Sequence, residues 1–180
     1  MFALPDPLHP AIVHFPVALA VLSPFVALAA VLALTRGWLP ARAWVGVVLL
    51  QALLAGSAWA ALETGEDQHE RVEKIVGNEP LETHQDAAER LLTIAVAGLV
   101  VSAAGLLSGS AGRYGRMAGV ASNAVILVAA LAVGHSGGEL VYKYGAAQAY
   151  GNTAAGGGAL SGTQTGAPET GRPVRADDDD

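Results

Sequence analysis

Four apolar runs, 11–34, 43–62, 91–108 and 117–134, contain no Lys, Arg, Asp or Glu, and the charged residues gather between and beyond them. At about 1.5 Å per residue, each run is about long enough to cross ~30 Å of hydrocarbon as a helix. The pattern predicts an all-α integral membrane protein with four spans. Turns of about eight residues between runs one and two and between runs three and four make neighbours antiparallel, giving an up-down-up-down four-helix bundle. Small residues such as Ala27, Ala52, Gly56, Gly98, Gly105 and Gly119 let backbones approach closely in lipid, where burial from water cannot drive association.

Charge sets the expected orientation. Arg36 and Arg42 lie between the first two runs, Arg113 and Arg116 between the last two, and neither stretch holds an acid. By the positive-inside rule both face the cytoplasm, so both termini and the segment 63–90 lie outside. All 16 acidic residues and all 5 histidines then share the outer side. Trp38, Trp44 and Trp59 stand near the two boundaries, as an interfacial aromatic belt requires.

The stretch MFALPDPLHP carries Asp6 and no basic residue ahead of the first run, unlike a secretory signal, so that run reads as a retained helix. Residues 1–147 are expected to form the transmembrane domain. Residues 148–180, rich in Gly, Ala and Thr and ending in Asp177 to Asp180, are expected to form a disordered outer tail. The lipid bilayer is the first partner. No basic footprint for nucleic acid is present, and a homo-oligomer is left open. With no cysteine, the chain cannot form disulfides, attach c-type haem or hold an iron–sulfur cluster through its own thiolates.

The histidines carry the candidate chemistry. His9 and His14 stand in LHPAIVHFP, His84 opens the third helix, His135 closes the fourth in GHSGGELVY, and His69 lies between. If Pro10 and Pro80 occupy first turns, His14 and His84 each sit about 6 Å further in, and His135 reaches a similar depth from the opposite direction. A b haem takes two axial imidazoles from facing helices. Diagonal helices about 11 to 14 Å apart could hold one between His14 and His84, with His135 as an alternative ligand. The competing set is a transition-metal site for copper, zinc or iron, built from His9, His14, His84 and His135 with Glu63, Asp86 or Glu139. Glu66 and His69 add a Glu-x-x-His spacing of the kind that places two ligands on one helix face. Gly137 and Gly138 read as a helix stop after His135, and Arg90 as an interfacial anchor.

LHPAIVHFPVAL, His84 before an apolar helix, and GHSGGELVYKYGA resemble a bacterial family of small four-span membrane proteins catalogued as domain of unknown function 2231. The resemblance covers about residues 5–147 and carries His9, Pro10, His14, Thr64, Gly65, His84, His135, Gly137, Gly138, Leu140, Val141 and Tyr142. Members fused to cytochrome or Rieske-like modules imply a place in electron transfer at the bacterial inner membrane. Because no such module follows the bundle here, the resemblance implies a separate extracytoplasmic redox partner. No nucleophile elbow or phosphate loop lies in the spans, so the expected role is non-enzymatic. The three readings carried forward are a b-haem electron-transfer component, a His/carboxylate metal-binding membrane protein and a cofactor-free assembly subunit.

Overall fold

The computed structural model describes residues 8–150. Asp6 and most of the expected tail, including Asp177 to Asp180, lie outside the described residues. Helix α1 (His9–Ile12) leads into α2 (His14–Thr35), a 3-10 turn (Ala41–Trp44) into α3 (Val45–Glu66), and the short α4 (His69–Val76) precedes α5 (Asn78–Ala104) and α6 (Gly109–Tyr142). A second 3-10 turn, Ala146–Tyr150, closes the described chain, and no strand occurs among the described residues. Four helices are long and apolar enough to cross a membrane. The chain is an integral membrane protein of all-α class.

Proline and glycine set several of the helix boundaries. Pro10 sits in the first turn of α1 and Pro80 in the first turn of α5, where a missing N–H costs nothing. Gly77, at φ 81°, ends α4 and opens α5, a backbone conformation that side chains resist. Pro24 lies inside α2 without ending it, as neighbouring helices allow in a membrane.

The helices run well past the apolar stretches. The third begins at Asn78, thirteen residues before the run at 91, and the fourth continues to Tyr142 rather than stopping at Gly137 and Gly138. Hydropathy marks the part of a helix that lies in hydrocarbon; polar turns beyond it keep their hydrogen bonds and continue. The segment 63–90 is therefore mostly helical. Residues 146–150, mostly assigned to the tail, instead pack on α4, where Val72, Val76, Leu81, Leu140 and Ala146 form a small cluster with Tyr144 and Tyr150.

In the bundle α2 packs on α3 and α6, and α5 packs on the same two helices. Thus α2 lies diagonal to α5, as expected for spans one and three of an up-down bundle. One end, the histidine end, carries the histidines, and the other, the arginine end, carries the arginine turns. The axis is filled by Ala20, Leu54, Ala55, Leu91, Ala95, Ile126 and Ala130, while large side chains such as Phe15 and Phe25 point outward at 65% and 64% exposure. Small residues inside and large ones outside suit a bundle surrounded by lipid. Trp44 departs from the expected belt: it is 0% exposed, and its indole N–H donates to the Ser102 carbonyl at 2.8 Å. Gly105 and Gly119 give it room. Trp38 and Trp59 are exposed, as interfacial residues should be.

The two hairpins repeat one another. Facing positions His9, Pro16, Ala20, Ser23 and Ala27 of the first span recur at the same spacing as His84, Leu91, Ala95, Gly98 and Ser102 of the third. Likewise Val47, Gln51, Leu54, Ala58, Ala61, Thr64 and Gly65 of the second correspond to Gly119, Asn123, Ile126, Ala130, Val133, Ser136 and Gly137 of the fourth. Combined with the diagonal packing, this register is that of parallel repeats about the bundle axis.

Candidate histidine site

The repeat builds one socket twice. His9 opens α1 with its ring half-buried, and its Nδ1–H donates to the Ala61 carbonyl at 2.8 Å, with the Thr64 hydroxyl oxygen at 3.4 Å. A carbonyl only accepts, so Nδ1 carries the proton. In the other hairpin His84 Nδ1 lies 2.9 Å from Ser136 Oγ, and that hydroxyl donates to the Val133 carbonyl at 3.1 Å. With the hydroxyl proton committed, the ring N–H is again the donor. Thr64 makes the matching bond to Ala61 at 3.1 Å. Both imidazoles are thus held in the same tautomer by the network around them.

Glycine makes each socket possible. A Cβ at Gly65 would stand 3.1 Å from Cε1 of His9, and one at Gly137 would stand 3.1 Å from Cε1 of His84. The expected helix stop at Gly137 is instead the seat of an imidazole within a continuous helix. The two rings face each other from diagonal helices, centroids 6.5 Å apart and planes at 85°. Both Nε2 atoms keep their lone pairs and have no hydrogen-bond partner among the described residues. A histidine fixed through Nδ1–H with Nε2 free is oriented as metal-bound histidines are.

The other candidates are placed elsewhere. His14 is exposed, and its Nδ1 bonds to the Pro10 carbonyl of the preceding α1 at 2.7 Å. Five residues after His9 at 3.6 per turn, it is rotated about 140° away from the axis. His135 is exposed in a shallow hollow lined by Gly134, Gly138, Glu139, Tyr142 and Lys143. Glu139 pairs with Lys143 at 3.4 Å, and Asp86 with Arg90 at 3.5 Å, both pairs exposed enough to contribute little. Glu63 is exposed. Glu66 closes α3 while His69 opens α4, so their spacing does not lie on one helix; His69 instead approaches Glu73 at 3.9 Å. Among the described residues no three His or carboxylate side chains gather to hold a metal ion.

Depth from the helix starts brought His14 and His84 together; rotational phase brings His9 and His84 together. His9 stands seven residues before buried Pro16, and His84 seven before buried Leu91. That shared register was the signal for the pair.

The fold and site define a class: a four-span membrane bundle whose diagonal helices present two opposed, Nδ1-anchored imidazoles at one end. The chain belongs to the family described as Predicted membrane protein (DUF2231), whose family model matches residues 5–149. No curated protein and no solved structure matches it.

Proposed function

We propose that this protein is a non-enzymatic membrane electron carrier, with His9 and His84 as the residues that would hold its iron or copper centre. The observation that carries the reading is the pair of matched sockets with free Nε2 lone pairs. Imidazole nitrogens bond such metals at about 2 Å, and rings 6.5 Å apart at their centroids are within the span one ion would bridge were both Nε2 atoms turned to it. Two imidazoles without a carboxylate suit a b-haem iron, whose macrocycle brings four nitrogens of its own, or copper, for which imidazole is a good ligand. When bound, either supplies one-electron chemistry. The chain's contribution is to fix both tautomers through Ala61 and Ser136 and to seat the rings against Gly65 and Gly137.

The test is a dithionite-reduced minus oxidised visible spectrum, with metal analysis, on protein purified in mild detergent from haem-sufficient cells. A low-spin b-type signal, or stoichiometric copper without haem, should be lost in His9→Ala and in His84→Ala and kept in His14→Ala. Neither haem nor metal in the wild-type protein sinks the proposal, and loss confined to His14→Ala would move the site.

The arginine turns orient the protein by the positive-inside rule, putting Arg36, Arg42, Arg113 and Arg116 in the cytoplasm and the histidine end outside, facing an extracytoplasmic redox partner. The chain has no cysteine, so single labels are clean. In intact cells an impermeant maleimide should label Lys74→Cys and should reach Ser110→Cys only after permeabilisation. The reverse pattern would invert the topology.

A further inference from the structure

Each span buries one polar side chain: Ser23, Gln51, Ser102 and Asn123. Gln51 and Asn123 are equivalent positions of the repeat, on the other diagonal pair of helices. Gln51 is 1% exposed and Asn123 0%. Among the described residues neither Nε2 nor Oε1 of Gln51 has a partner, nor do Oδ1 of Asn123 and Oγ of Ser102. The Nδ2 of Asn123 donates to the Gly119 carbonyl at 2.7 Å. Unpaired polar atoms in hydrocarbon are costly, because lipid offers no replacement partner.

The surroundings restrict what could satisfy them. A Cβ at Gly98 would lie 2.7 Å from Cδ1 of Ile126 and 3.0 Å from Nε2 of Gln51, so the Gln51 amide reaches past α5 toward α6, where Asn123 stands about one turn before Ile126. The apolar runs hold no carboxylate to balance a metal cation. What remains is a small neutral molecule that both donates and accepts. The geometry points to a binding site for ordered water between Gln51 and Asn123, with Ser102 completing its hydrogen bonds. A buried water needs two to four polar partners, and these side chains supply that number. The site is independent of any centre at the histidines.

The full-length chain, isotope-labelled in nanodiscs of deuterated phosphatidylcholine, allows water-selective magnetisation transfer to be read by NMR. Transfer is expected to the side-chain NH2 groups of Gln51 and Asn123, and not to the backbone amides of Leu54 and Ile126 about one turn away. Gln51→Leu should reduce the transfer to Asn123 several-fold; if that variant fails to fold, Asn123→Leu read at Gln51 carries the same test. Absence of transfer at Gln51 overturns the proposal in favour of direct amide pairing. A resonance shift of Gln51 when sodium replaces choline overturns it in favour of a cation.

Discussion

Gly115→Val is expected to keep the chain from closing its bundle, giving protein that is degraded or aggregates on extraction, whereas Gly46→Val behaves as wild type. A Cβ at Gly115 would lie 2.5 Å from the Ala104 carbonyl carbon, 2.6 Å from the Gly105 nitrogen and 2.7 Å from the Ala104 oxygen. All three are backbone atoms and cannot swing aside as a side-chain tip can. The only relief is to part α5 from α6, the most extensive helix pair in the molecule. Overpacking commonly costs about 1–3 kcal/mol where side chains can adjust; against rigid backbone the cost should reach or exceed the upper end of that range. Among the described residues nothing lies within 4 Å of a would-be Cβ at Gly46. Thermal loss of helicity and monodispersity in mild detergent would separate the two variants, and equal behaviour would refute the close approach.

Trp44→Ala should cost about 3–5 kcal/mol, the range for removing a large aromatic from a packed interior. Trp44 joins Ala27, Val31 and Val47 in one cluster at the arginine end and lies against Gly119, whose would-be Cβ is 3.1 Å from its Cζ2. Neither Gly105 nor Gly119 carries a side chain that could collapse into the vacated space. Trp44→Phe keeps much of the volume and loses the bond to Ser102 O, so it should cost about 1 kcal/mol. Trp38→Ala is the control, since Trp38 is 71% exposed. Denaturation in mixed micelles titrated with sodium dodecyl sulfate ranks the three. A Trp44→Ala midpoint as high as that of Trp38→Ala would mean that Trp44 is interfacial after all.

Much of the architecture was legible before any coordinates. Span number, antiparallel neighbours and the diagonal placement of the first and third helices follow from apolar runs and short turns, because lipid allows a helical chain few other solutions. Helix ends were not legible, since a polar turn outside hydrocarbon looks the same as a loop. Trp44 and Gly137 were misread for a related reason. A tryptophan near a boundary and a glycine after a histidine each have a common local explanation, and only the neighbouring helix shows that one fills the interior and the other seats a ring. The candidate site was partly legible: His9 and His84 both stand among the candidate ligands, but pairing His84 with His9 rather than with His14 turns on a rotation of about 140°, invisible to an argument from depth alone.

Each hairpin anchors its own imidazole: His9 on the Ala61 carbonyl, and His84 on Ser136. The seam between the hairpins therefore passes between the rings and cuts no bond that orients them. A half-length chain carrying one such hairpin and pairing with a copy of itself around the same axis would regenerate the complete two-ring arrangement. The site is divisible, since each half brings one ring already oriented.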